Sequence, residues 1–424
     1  MARTPRQRKA STVPPPPDVP DPVVGTRLIR RLEGQLLWLR EHRAHGNREF
    51  FYDQLVIAHL LAFFNPVVHS LRRIEDVWDL PAVQKRWGYG RAPKSTVADA
   101  QRVFDPLLLK PIFEDLKRQA QIQPHDTRLD ALTRRLLAHD GTFFAVAPRI
   151  TWAVYNRCKK EPPADPAQRK TGRRGLTRKG HVRAHVPFDI LAGLPAQFTL
   201  TGGQTSERSQ LQKMLRPEHC YGLDRGFQSY ALRGEILRIG SDFVVRLRKS
   251  ARYEGPQTRP LTAADWAAGV QSDTLVQIGW REDQTPTLPV LRRVEIVGPD
   301  PAEPMVLLTS CLDLPAERIG LIYQHRWQVE LFFRWLKCMA GMSHFFSESQ
   351  AGMTLQLYVT LIGALLIALE TGAAPSVYDF ALLSMAFSGL APLEQVLAQA
   401  AKRRAERRRA AERRRAKAAQ KNEV

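Results

Sequence analysis

The stretch YQHRWQVELFFRWLK, from Tyr323 to Lys337, sets a tyrosine, an arginine, a glutamate and a lysine at successive spacings of three, four and seven. On a helical wheel of about 100° per residue, Tyr323, Arg326, Glu330 and Lys337 fall within roughly 60° of one another. Ile322, Val329, Leu331, Phe332, Phe333, Trp335 and Leu336 cover much of the rest. The polar edge is therefore narrow and chemically mixed. Read alone, Arg326 and Glu330 are an i,i+4 pair, worth about 0.2–0.5 kcal/mol on an exposed helix. Two aspartates elsewhere in the chain give that edge something to meet. Asp140, in HDGTFF, and Asp224, in YGLDRGF, each close an apolar run that reads as a strand. Each taken singly is an ordinary turn sequence. If the two strands are neighbours in one sheet, both carboxylates emerge at the same edge. A glutamate from a helix crossing that edge then completes a set of hard oxygen donors suited to Mg²⁺ or Mn²⁺. Phosphoryl transfer on two metal ions about 3.5–4 Å apart needs such a set. Arg326 and Lys337 would flank the ions and hold DNA phosphates, the first bidentately and the second as a point charge. Tyr323 would bond or stack at the nucleic-acid end.

The elements that must position these groups follow from periodicity. An N-terminal arm over residues 1–25 is basic and Pro-rich, with no apolar core of a secretory signal. Residues 26–130 read as α-helical. One helix carries Leu28, Leu32, Leu36 and Leu39 on one side and stops at Gly46. A second ends near Pro66, and a third is capped by Ser70. The segment PAVQKRWGYGRAPKSTVADAQRVF predicts helix, turn and helix, with Thr96 and Asp99 as a capping-box variant. It is a weak helix-turn-helix candidate for DNA binding. From residue 131 to 250, strands dominate. LTRRLLAHDGTFFAVAP predicts a short strand running into the Asp140-Gly141 turn, and a basic loop rich in Pro and Gly follows. SERSQLQKML is a short helix whose Glu207 reads as a solvated acid or a supporting group. Residues 251–303 predict a strand-rich insertion, and 304–370 a strand followed by one long helix carrying Tyr323 to Lys337. The order is α/β. LQLYVTLIGALLIAL, Leu355 to Leu369, falls short of the roughly 20 apolar residues of a membrane span and reads as a buried core helix. Residues 371–424 end in an Arg-rich, helix-competent tail in which AERRRA occurs twice. As a charge run it reads as a solvated tail or a non-specific phosphate clamp.

The composition agrees on the partner. The chain has 424 residues and a formal charge of +21. That excess argues for a polyanion, with nucleic acid first and an anionic membrane surface as the competitor. The four cysteines, Cys158, Cys220, Cys311 and Cys338, form no CxxC pair. They speak against a zinc module and suit a reducing cytoplasm. His139 and His185, beside the predicted strands, read as structural.

These residues carry a resemblance. Tyr323, Arg326, Glu330 and Lys337 match without a gap the Tyr-x2-Arg-x3-Glu-x6-Lys signature of the DDE transposases of bacterial insertion sequences, specifically insertion-sequence family four. HDGTFF resembles the first-aspartate motif of that family and YGLDRGF its second. VLLTSCLDLPAERIGLIYQHRW is similar to its lead into the signature helix. The likeness covers roughly residues 131 to 370. It implies a ribonuclease-H-like catalytic core with a strand-rich insertion between Asp224 and Glu330, preceded here by an α-helical domain and followed by a helical basic tail. It implies that Asp140, Asp224 and Glu330 are catalytic and hold two Mg²⁺ (or Mn²⁺) ions, and that Tyr323, Arg326 and Lys337 bind DNA. It further implies hydrolysis of a DNA phosphodiester at the element ends, attack of the freed 3′-hydroxyl on target DNA, no covalent protein–DNA intermediate, and a homodimer on double-stranded DNA. Some relatives pass through a hairpin with a flipped base on an aromatic side chain, for which Trp266, Trp280 and Tyr323 are the candidates. The expected location is the bacterial cytoplasm, at the nucleoid. The competing reading is a non-enzymatic or inactive transposase-derived DNA-binding protein.

Overall fold

The computed structural model describes residues 25–42, 50–65, 67–87, 91–120, 127–129, 134–147, 149–155, 179–248, 251, 253–278, 288–298, 304–338, 344–373 and 376–422. The helices up to residue 119 are α1 (Thr26–Ile29), α2 (Glu33–Glu41), α3 (Tyr52–Phe64), α4 (Leu71–Trp78), α5 (Pro81–Trp87), α6 (Lys94–Val103) and α7 (Lys110–Gln119). A turn of 3₁₀ helix, Arg30–Leu32, joins α1 to α2. The stop expected at Gly46 lies outside the described residues. Ser70 caps α4 as its sequence predicts, its Oγ accepting from the Arg73 amide at 3.2 Å. The Thr96–Asp99 box does not form. α6 starts three residues earlier, at Lys94, directly after Pro93, whose fixed φ suits a helix entry.

Strands β1 (Arg135–Val146), β2 (Val154–Tyr155), β3 (Lys179–Asp189), β4 (Leu194–Pro195), β5 (Thr199–Gly202), β6 (His219–Leu223), β7 (Asp242–Arg246), β8 (Glu254–Thr258), β9 (Val270–Gln277), β10 (Leu291–Ile296) and β11 (Met305–Thr309) form one sheet of eleven strands among the described residues. β3 pairs antiparallel with both β1 and β5, β1 runs parallel to β6, and β6 parallel to β7. β7 is then joined antiparallel by β11, and the sheet continues through β10, β9 and β8. The strand-rich segment thus prolongs the main sheet. Helices α8 (Glu207–Met214) and α9 (Tyr230–Arg238) link β5 to β6 and β6 to β7, and α10 (Ala263–Ala267) lies between β8 and β9.

Two apolar cores sandwich the sheet, and the alternation of a strand decides which residue enters which. On β1, Leu136 and Ala138 face the larger core and Leu137 the smaller; on β6, Cys220 faces the larger, and Tyr221 and Leu223 the smaller. α8 and α9 cover the smaller core through Leu211, Leu232 and Ile236. The larger core is shared by the N-terminal helices, α11 (Ala316–His325), α12 (Gln328–Cys338) and α13 (Gln350–Thr371). α13 is 22 residues long, more than its apolar run suggests, and would span a bilayer by length and composition alone. It packs instead against α3, α6, α7 and β5 and is buried nearly throughout. It ends at Gly372, whose φ of +62° is the left-handed conformation that favours glycine. α14 (Val377–Phe387) and α15 (Leu393–Asn422) complete the chain.

Candidate active site

β1 does not turn at Asp140-Gly141. It runs straight through the pair, held by a register with β3 that extends from Leu137 to Val146. The expected turn is overridden because pairing along β3 fixes the backbone as extended on both sides of it. What ends near Asp140 is the neighbour: the last β1–β6 pair is His139 with Leu223, so Asp140 and Asp224 occupy the next level side by side. Parity gives them the same face as Ala138 and Gly222, the one covered by α11 and α12. Each aspartate is fixed alike. Asp140 Oδ1 accepts from the Gly141 amide at 2.7 Å, and Asp224 Oδ1 accepts from the Arg225 amide at 2.6 Å.

The helix that meets this edge is not continuous. α11 stops at His325 and α12 begins at Gln328, with Arg326 and Trp327 in a tight turn between them. The Arg326 and Trp327 amides bond to Tyr323 and Gln324, three residues back, as in a 3₁₀ turn. No Gly or Pro marks the break, so periodicity alone reads one long helix. Arg326 is buried to 3 % exposure above Gly222, one pleat before Asp224. Its guanidinium holds Glu330 Oε1 at 2.7 Å and lies 3.9 Å from Asp140 Oδ2. Burial works against its charge, but Tyr323, Glu330 and Asp224 hold it above the ordinary arginine range. The three acids from β1, β6 and α12 are therefore within electrostatic reach of one guanidinium, whose Nη1 and Nε have no hydrogen-bond partner.

Asp140 is the strained member. Burial first, then the neighbouring Glu207 and Glu330, push its carboxyl from 3.8 up to about 7, against the Gly141 amide and Arg326. Glu207, at the start of α8, is not the solvated acid its sequence position suggests. A Cβ on Gly141 would meet its Oε1 at 2.6 Å, so the glycine leaves the notch in which that carboxylate lies. Burial and Asp224 raise Glu207 as well, while Arg183, 3.7 Å away, opposes. The signal in the sequence was Gly141 itself, legible only once α8 is known to pass over it.

The other named residues sit around this cluster. Tyr323 is 2 % exposed, its ring 5.4 Å from the Arg326 guanidinium. Lys337 is exposed farther along β1, its Nζ 5.7 Å from the Phe144 ring. His139 and His185 are fully buried and held neutral, at about 3 and about 4, chiefly by burial. Beside the acids opens a cavity of about 630 Å³, lined by Arg246, Arg318, Tyr323, Arg326 and Trp327 together with α10 residues. Trp266 on α10 and Trp327 are exposed, at 61 % and 53 %; Trp280 lies outside the described residues.

The donors fit a hard divalent cation in kind: carboxylate oxygens, one of which keeps its proton to near neutrality chiefly through burial. Among the described residues no three His, Cys, Asp or Glu side chains are gathered closely enough to hold an ion as placed. Arg326 holds the Glu330 carboxylate, and a cation would have to compete for it.

Comparison with known proteins gives this arrangement a family. Residues 131–366 match the family model described as "Transposase DDE domain". The chain is 25% identical over 189 residues to a putative transposase, y4zB, of Sinorhizobium fredii, and 23% identical over 187 residues to a probable transposase for insertion sequence element IS5377 of Geobacillus stearothermophilus. Each alignment covers 44% of this chain, and the chain spans about half the length of these relatives, 52% and 48%. Among solved structures, a piggyBac transposase synaptic complex with hairpin DNA matches with a TM-score of 0.37 and 13% identity, over 89% of this chain and 78% of that one. The family model spans more than half of the sequence and takes in Asp140, Asp224 and Glu330: the chain belongs to the transposase DDE domain family.

Proposed function

We propose that the protein is a DNA transposase of the insertion-sequence-family-four type, which cuts DNA at the ends of its element and joins the freed 3′-hydroxyls to a target. The single observation that supports this reading most is the Arg326 guanidinium set between Glu330, at 2.7 Å, and Asp140, at 3.9 Å, with Asp224 at the end of the strand beside Asp140, on a chain of charge +21. The strand order supports a ribonuclease-H-like core over 131–250 and 304–370, interrupted by the insertion at 251–303; the helices of 26–130 would be a DNA-binding domain. Asp140, Asp224 and Glu330 would hold two Mg²⁺ or Mn²⁺ ions, with Glu207 supporting Asp140 and Asp224. When bound, such ions activate the attacking water and stabilise charge at the scissile phosphate.

The residues present divide the remaining tasks. Arg326 balances the acids before DNA arrives, and once ions neutralise those acids its guanidinium, 3.9 Å from Asp140, would be free to turn to a phosphate oxygen. Arg246 and Arg318 line the adjoining cavity and would take the strand leading away from the cut. Tyr323 supports Arg326 from below, as its burial suits it to positioning more than to stacking. Trp266 and Trp327 offer exposed rings for an unstacked base, at a cost of a few kcal/mol of unstacking. Lys337 would meet the backbone as a point charge. A homodimer on double-stranded DNA, in the cytoplasm at the nucleoid, completes the proposal.

The test is the Glu330→Gln variant with duplexes carrying the inverted repeats that flank the gene. Mg²⁺-dependent cleavage is expected to fall by at least 10³-fold (about 4 kcal/mol in the barrier), with DNA affinity changed less than about threefold. Full cleavage by that variant would falsify the assignment. Failure of the wild-type protein to cleave, with DNA binding intact, would favour the inactive DNA-binding reading.

A further inference from the structure

α15 is a single helix of 30 residues, Leu393–Asn422, and it lies beyond the region matched by the family model. Its first half is anchored. Val396 and Ala400 are buried, Arg404 donates to the Thr371 carbonyl at 3.0 Å and lies 3.9 Å from Asp379, and the Arg407 guanidinium sits 4.4 Å from the Tyr378 ring. Beyond Arg407, every described side chain, Arg408 to Arg414, is exposed. Between residues 402 and 422 the sequence carries eleven Lys and Arg against two Glu. The one ion pair within this stretch among the described residues is Arg403 with Glu406, itself exposed, and Arg408, Arg409, Arg413 and Arg414 have none.

At 100° per residue the cations do not form one face. Arg403, Arg407 and Arg414 make one column, Arg404 and Arg408 a second, Lys402, Arg409 and Arg413 a third. Between them are alanines. There is no apolar stripe for a partner helix, and none to sink into a bilayer. Arg409 and Arg413, and Arg404 and Arg408, are like charges at i,i+4 and repel. A rigidly based helix with unpaired cations on all sides needs a partner that brings anions from more than one side. A DNA duplex does so: its major groove, about 12 Å wide, admits an α-helix between two walls of phosphate. From Arg408 to Asn422 the helix runs on the order of 22 Å, beside which a duplex carries one charge per roughly 1.7 Å.

We infer that α15 is a second DNA-binding element, separate from the catalytic edge, which engages the phosphates of a duplex without reading its sequence. This rests on the reading of the chain as a DNA-handling protein and adds a surface that the matched domain does not contain.

The test is the salt dependence of binding by the full chain to a 40-base-pair duplex of random sequence. In the variant Arg408→Gln, Arg409→Gln, Arg413→Gln, Arg414→Gln, the slope of log affinity against log salt is expected to flatten by up to about 3.6 units, at roughly 0.9 for each phosphate no longer neutralised. Affinity near physiological salt should drop by at least tenfold. Helix content should hold, since Gln is a good helix former and the sites are exposed. A chain ending at Arg407 should show a similar loss, and the four-fold Arg→Lys variant should keep the slope. An unchanged slope in both the Gln variant and the truncation overturns the proposal. So does loss of binding to phosphatidylserine vesicles with DNA binding intact, which would assign the helix to a membrane surface. If cleavage of element ends by the wild type persists in either case, only this inference falls; a wild-type chain that binds no DNA at all removes both.

Discussion

At the scale of residues, the site is a balance of charge. Asp140 is half-buried near Glu207 and Glu330 with Arg326 only 3.9 Å off, and its carboxyl is pushed up to about 7. In the unfolded chain it titrates near 3.8. Between those values the folded state holds a proton that the unfolded state has released, so stability falls as pH rises through the window and the full penalty stands above 7. Asp140→Asn is therefore expected to stabilise the metal-free protein at pH 8 by on the order of 2–4 kcal/mol, and to leave it unchanged below about pH 4. Denaturant melts across that range would show it, and an equal gain at both ends of the range would rule the electrostatic cause out. Mg²⁺ should reproduce the gain in the wild type at about pH 8, and much less so at about pH 5.5.

At the scale of elements, two features matter: a helix that breaks and a helix that fits too tightly to vary. The wheel that gathers Tyr323, Arg326, Glu330 and Lys337 assumes a regular helix, yet the chain tightens at Arg326 and Trp327. The Arg326–Glu330 contact survives the break; Lys337 stands apart beside Phe144. α13 meets α3 where a Cβ on Gly363 would come within 2.5 Å of the Phe63 ring. Ala would gain roughly 1 kcal/mol of helix propensity there. Overpacking against an aromatic ring between two buried helices costs about 1–3 kcal/mol. Gly363→Ala should thus be net destabilising, by up to about 2 kcal/mol, in urea denaturation; a more stable variant would mean that the two helices can slide apart freely.

At the scale of the whole molecule, α13 ties the N-terminal helices to the sheet. The larger core passes without interruption from Leu28 and Leu55 through Leu357 and Leu365 to Val182 and Ala138. Stripping away residues 26–120 would uncover an apolar helix long enough to span a bilayer. The helical region and the sheet are therefore expected to unfold together. Calorimetry should show one transition over both, with the van't Hoff enthalpy matching the calorimetric one; two resolved transitions would mean that the shared core is weaker than its continuity suggests.

What the sequence determined by itself was chemistry and local form. The residue types and spacing of Tyr323 to Lys337 marked a helix with a reactive edge, Ser70 marked a cap, and short apolar runs marked the strands that lead to Asp140 and Asp224. These are local properties, fixed by side-chain size, charge and the two backbone periods. Tertiary structure decided the rest. It drew Asp140-Gly141 into the middle of a strand because β3 pairs on both sides of it, and it tightened the helix at Arg326 over Gly222. It also brought Glu207 over Gly141 and left Arg408 to Arg414 of α15 exposed. Each of these depends on which distant segment lies alongside, a contact that no window of neighbouring residues encodes.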